Sequence, residues 1–120
     1  MKIKSSIIRD KLEITDATGE VVKEIPFVIN TTRIADEVTR KRIALSKIDK
    51  TNSEALGRAV VDLIYTLFGE DTANEIFTYY DGDHIAMMAD LSPVISEVIY
   101  PVFDSLRRKM VDTIKKTKRV

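Results

Sequence analysis

The sequence has no cysteine and no tryptophan, a single histidine, three prolines and four glycines in 120 residues. Without cysteine there is no disulfide, no thiolate nucleophile and no sulfur-ligated metal, and a reducing compartment suits the chain. The glycines are too few and too scattered for a phosphate-cradling Gly-x-x-x-x-Gly-Lys loop or a dinucleotide fingerprint, and no serine sits in a Gly-x-Ser-x-Gly turn. Net charge is missing as well. The 19 basic and 19 acidic side chains cancel, which argues against a molecule drawn as a whole to nucleic acid or to an anionic membrane. No run of about 18 apolar residues occurs, so no membrane span is expected. Residues 1–14, MKIKSSIIRDKLEI, lack the continuous apolar stretch of a secretory signal. No internal repeat and no low-complexity linker divides the chain. These absences leave a non-enzymatic protein with no cofactor, no metal and no catalytic residue as the expectation, and a reducing cytoplasm is compatible with them.

What is there is an ordinary globular composition, 44% hydrophobic and 32% charged, enough for one domain that buries about 65–70% of its unfolded surface. The expected class is α+β, a single domain over residues 1–120. A β-hairpin region (1–30) packs on a helical region (31–120) of about four to six helices. Leu12, Ile14, Val21 or Val22, Ile25, Phe27 and Ile29 partly alternate, and Asp16 to Glu20 is a turn sequence with Gly19 where a positive φ is needed. Strands at about 11–16 and 20–29 follow, with a third from residues 2–8 as an option. Pro26 donates no ladder hydrogen bond, so the second strand is read as an edge. A lone hairpin is marginal in water and must lay one face on the helices.

Helix signals then follow in quick order. Asn30, Thr31 and Thr32 cap a helix to about Ile48, striped with Ile34, Val38, Leu45 and Ile48. Thr51 and Glu54 match a capping box ahead of a core helix of about 52–68. Its residues Leu56, Ala59, Val60, Leu63, Ile64 and Leu67 recur at steps of three and four. Gly57 inside it predicts close approach by a neighbouring element, since glycine otherwise costs about 1 kcal/mol there against alanine. Gly69 and Gly82 mark helix ends. Thr72 with Glu75 reads as a second capping box for a helix of about 72–80, and Asp83 as the cap of one at about 84–91. Ser92 followed by Pro93 reads as a fresh helix start. Pro101 predicts a kink, or a break into helices of about 93–100 and 101–116.

Three groups of residues are candidates for function. Asp81, Gly82, Asp83 and His84 gather acids with the histidine, but metal ligands must converge from separate parts of a fold. A turn capped by Asp83 is the plain reading, and a metal or general-base site the alternative. The spacing does not fit a twelve-residue calcium loop. The basic run of Arg107, Arg108, Lys109, Lys115, Lys116, Lys118 and Arg119 either complements a helix C-terminus or faces an acidic partner. Arg33, Arg40, Arg42 and Lys47 on the first helix are interrupted by Asp36 and Glu37, so a solvated face is preferred to a nucleic-acid recognition surface. Finally, Tyr79, Tyr80, Met87, Met88 and Tyr100 exceed what a core fed by so many Leu, Ile and Val side chains requires. Tyrosine and methionine are favoured in interface cores. Tyr79, Tyr80, Met87, Met88, Tyr100, Phe103, Arg107 and Arg108 are therefore the candidate residues for self-association or partner binding.

The residues Phe68-Gly69-Glu70-Asp71, Ile76-Phe77-Thr78-Tyr79-Tyr80, Ile85-Ala86-Met87-Met88, Ser92-Pro93-Val94-Ile95 and Ile99-Tyr100-Pro101 carry a resemblance. The chain looks like a tail assembly chaperone of siphophages and prophages of Gram-positive bacteria. The pattern covers about residues 52–103, and the size and layout agree over the full length. The resemblance implies a small non-enzymatic protein of the host cell cytoplasm that coats the tape measure protein. It implies self-association into spirals, and often a longer second product made by frameshifting. No functional residue is carried over from the family. A small interaction adaptor or regulator is the alternative, with nucleic-acid binding behind it.

Overall fold

In the computed structural model, which describes residues 1–2 and 7–118, the hairpin and the helices form one α+β unit. Strands β1 (Ile7–Thr15) and β2 (Val21–Asn30) pair antiparallel, with Leu12 opposite Ile25 and Ile8 opposite Ile29. The turn between them is tied by Asp16. Its carboxylate accepts from the backbone N–H of Thr18 at 2.9 Å and of Glu20 at 3.1 Å, and from the Thr18 hydroxyl. Alternation puts Leu12, Ile25, Phe27 and Ile29 on one buried face, and β2 has no further strand beside it among the described residues. The optional third strand is not settled: Ile7 and Ile8 belong to β1, and residues 3–6 lie outside the described residues.

Helix α1 (Thr31–Ser46) starts at Asn30, whose side-chain oxygen accepts from the Arg33 N–H. Helix α2 (Ser53–Phe68) starts at Asn52, whose side chain accepts from Ala55 N–H at 3.1 Å. The expected Thr51–Glu54 capping box is replaced because Thr51 is already engaged. Both its backbone N–H and its hydroxyl donate to Asp49 at 2.9 and 2.8 Å. Helix α3 (Glu70–Tyr80) begins two residues before the expected Thr72, directly at Gly69, which ends α2 and starts α3 at φ +80°. No side chain caps it, and Glu70 and Asp71 supply negative charge to its first turn instead. Asp81 and Gly82 then both take positive φ, reversing the chain, and Asp83 caps the next helix through Ala86 N–H at 3.0 Å.

From His84 the chain is helical without a break. Helix α4 (His84–Val94) passes through Pro93, a π-helical turn follows at Ile95–Ile99, and α5 (Tyr100–Lys118) continues from it. Ser92 is therefore no cap. It lies inside α4, where its carbonyl accepts the Ser96 hydroxyl at 2.8 Å, and the Ile95 N–H is shared between the Leu91 and Ser92 carbonyls. Pro101 breaks nothing either. Its ring crowds the carbonyl four residues back, and the wider turn before it, in which Tyr100 N–H reaches Ile95, gives that carbonyl room. The continuous helix His84–Lys116 includes an 18-residue stretch of mean hydropathy 1.3. By length and composition alone it could cross a membrane, contrary to the expectation from apolar runs. In this fold one face of it closes the core.

That core joins the hairpin to α2, α3 and the long helix. Phe27 meets Phe68 edge-on at 5.2 Å, and Ile64, Leu67, Ile76, Met87, Leu91, Ile95, Ile99 and Phe103 fill the space around them. Ion pairs brace the outside: Lys23 to Glu75 at 3.1 Å, Lys41 to Asp62 at 2.6 Å and Arg42 to Asp104 at 2.9 Å. The phase of the π turn is testable at neighbouring residues. Ile99 is fully buried and Val98 is 50% exposed. Ile99→Ala should cost about 2–5 kcal/mol by chemical denaturation, and Val98→Ala under about 0.5 kcal/mol. Equal costs would mean that the helix is phased differently.

Candidate functional site

Helix α2 carries an apolar stripe along its whole length, but the fold covers only the second half. Leu63, Ile64, Leu67 and Phe68 are buried, while Leu56, Val60 and Val61 are only partly covered. The backbones of α4 and α2 come close at few positions. The gap between them is an apolar groove made of two adjoining cavities. One, of about 660 Å³, lies between Gly57, Val61 and Tyr65 and the opposing His84, Ile85 and Met88. The other, of about 470 Å³, runs on past Val60, Met88 and Ser92 to Tyr100. Leu56 and Met88 border both. Ile85 stands at the mouth, 84% exposed. Gly57 was expected to admit a close neighbour, yet no atom lies within 4 Å of where its Cβ would be. No element of the described chain uses the space that its missing side chain leaves.

A second apolar face lies on α5. From Arg107 to Lys116 every residue is exposed, about three helical turns and 15 Å of rise. Met110 (56% exposed) and Ile114 (54%) continue the line of Leu106, with Val111 beside them. Ile43 of α1 and the flanking Arg40 and Arg107 complete a shallow groove of about 710 Å³ along this face. The radius of gyration is 16.6 Å against about 13.6 Å for a compact chain of this length, and the projecting α5 is the reason.

The eight candidate residues fall into separate places. Met87 is a core residue and offers no surface, which corrects its assignment as a contact residue, and Phe103 is a core residue, 6% exposed, that reaches only the floor of the α5 groove. Met88 and Tyr100 line the α2–α4 groove. The Tyr100 ring also lies under the Arg42 guanidinium at 3.9 Å, a cation–π contact of about 0.5–1 kcal/mol. Tyr79 is on the outside, edge-on to Tyr80 at 5.2 Å. Tyr80 is half-buried and donates its hydroxyl to Asp90 at 2.8 Å, tying α3 to α4. Arg107 flanks the α5 groove, and the Arg108 Nε donates to the Asp104 carbonyl of its own helix. Ile85, Gly57, Val61, Met110 and Ile114 are the surface-forming residues that the candidate set missed. The available signal was an α2 stripe longer than a two-stranded hairpin can cover.

At Asp81, Asp83 and His84 the structure shows the turn. Among the described residues no three His, Asp or Glu side chains gather closely enough to hold a metal ion. The arrangement offers two apolar faces on helices, chemistry suited to binding another helix. Comparison with protein-family models, with curated proteins and with solved structures finds no match to this chain.

Two tyrosines of this region titrate abnormally. Burial, then the neighbouring Asp90 carboxylate, pushes the Tyr80 hydroxyl far above its ordinary value of 10.0. Burial raises Tyr100 too, and the Arg42 charge opposes that rise. A raised folded-state value means that the neutral hydroxyl is favoured by folding. The stability it contributes is complete below about pH 10 and is lost as pH rises toward the folded value. Thermal melts between pH 9 and 12 should therefore fall more steeply for the wild type than for Tyr80→Phe. Parallel curves would show that this hydroxyl does not contribute.

Proposed function

We propose that this chain is a non-enzymatic tail assembly chaperone of a phage or prophage. It self-associates in the host cytoplasm and holds the tape measure protein while the tail forms around it. One observation carries the reading: the first half of α2 and the facing side of α4 leave an apolar groove open, with Ile85 largely uncovered at its mouth. Exposed apolar area of this kind marks interaction sites, and a groove between two helices suits an amphipathic helix. The sequence pattern from Phe68 to Pro101 supports the choice of a tail assembly chaperone among interaction proteins. The general adaptor reading would use the same groove for one client without self-association.

Co-expression with fragments of the tape measure protein from the same phage tests it. A helix-rich fragment that precipitates alone is expected to stay in the supernatant with this chain and to co-elute with it on size exclusion. A fragment that precipitates equally with and without the chain removes the chaperone reading.

A further inference from the structure

The charges that cancel over the whole chain are segregated along it. Residues 59–106 hold nine acidic side chains and no lysine or arginine, whereas residues 107–116 hold five bases and a single acid, Asp112. Only three of the nine acids, Asp62, Glu75 and Asp104, form ion pairs among the described residues, each with a base from β2 or α1. None of the five bases does. On the helical wheel of α5, Arg107 and Lys115 fall to one side of the Leu106–Met110–Ile114 stripe, and Lys109 and Lys116 to the other. The exposed end of α5 is thus an apolar ridge between two basic edges whose bases form no ion pair among the described residues.

The α2–α4 groove is its complement. Its floor is apolar, Gly57 leaves room for a backbone to come close, and the α4 wall together with the 60–65 part of the α2 wall belongs to the acidic stretch. Glu54 and Asp62 line it, Glu54 paired with Arg58 at 3.6 Å and Asp62 with Lys41 of α1 at 2.6 Å, and Asp83 directly precedes the lining residue His84. We propose that the exposed end of α5 in one copy docks in the α2–α4 groove of a second copy, head to tail. The proposal rests on the self-association half of the proposed function and assigns its two surfaces. Two different surfaces make the contact heterologous, so each copy both gives an α5 and offers a groove, and the array stays open unless it closes on itself. A symmetric pairing of two α5 ends would bring basic edges together.

Mixing variants tests this directly. Met110→Asp/Ile114→Asp removes the ridge and keeps the groove; Gly57→Leu/Ile85→Asp fills the groove and keeps the ridge. All four positions are partly or fully exposed, and circular dichroism melts check the fold. By light scattering after size exclusion, the wild-type mass should climb with concentration and fall with added salt. Each variant alone should stay monomeric, with association weakened at least about tenfold. An equimolar mixture should form a dimer and nothing larger, because one intact ridge then meets one intact groove. Should a ridge or groove variant unfold, Arg107→Glu/Lys115→Glu replaces the ridge variant and Ile85→Asp alone the groove variant. A mixture that stays monomeric while the wild type assembles overturns this docking and leaves self-association standing. A wild type that is monomeric throughout overturns both; because the tape measure fragment would take the same groove, its capture is measured with Met110→Asp/Ile114→Asp, whose groove is intact.

Discussion

Apolar residues four apart drift by about 40° per step around an α-helix. Met87, Leu91, Ile95, Ile99 and Phe103 would accordingly spread over about 160° and could not all face one core. The π turn at Ile95–Ile99 inserts one residue into the winding, which takes back about 100°. All five are buried as a result. The other elements fasten to this helix at places set by that phase: the Tyr80 hydroxyl holds α3 to Asp90, and Arg42 holds α1 to Asp104 and Tyr100. A turn that a purely local reading takes for a defect caused by Pro101 is what lets a single rod serve the whole core.

The same rod is longer than the core that it serves. Its buried face ends at Phe103, and the helix runs on to Lys118. At the other end Ile85 and Met88 lie a third of a turn or less from the buried Met87 and Leu91 face, yet Ile85 is exposed and Met88 only partly covered. The two-stranded hairpin can shield only the second half of α2 and the face of the long helix beside it. The apolar residues beyond its reach are left on the surface. Both open faces therefore follow from one mismatch, a small sheet set against two long helices.

Much of this was legible in the residues. The Asp16 to Glu20 turn, the Asn30 and Asp83 caps and the α2 periodicity are local signals, and local hydrogen bonds decide them. Where two local signals compete, neighbours decide: Asp49 takes Thr51, and Asn52 becomes the cap. Ser92-Pro93 misleads because a proline on a solvated helix face removes one hydrogen bond without ending the helix when packing on the opposite face holds it. The site was harder to read. Met87 and Met88 differ by 100° of rotation, one in the core and one in the groove, and composition cannot separate them. Ile85 and Gly57 gain meaning only once α4 is seen to stand off α2.

A net charge of zero also concealed a pattern. At about 0.1 M salt, exposed charges more than about 10 Å apart are largely screened, so segregating acids from bases along the chain costs the isolated fold little. The long helix carries its last turns away from the acidic body, which keeps that cost low. Screening does not act the same way where two surfaces meet and water is displaced, since charges at contact distance still interact. Segregation that is nearly neutral within one copy thus becomes selective between copies. It favours contacts that bring the basic end against the acidic body and disfavours those that bring like ends together. For a chain with two uncovered apolar faces this selectivity matters, because hydrophobic burial alone is non-directional and would join such faces in any combination.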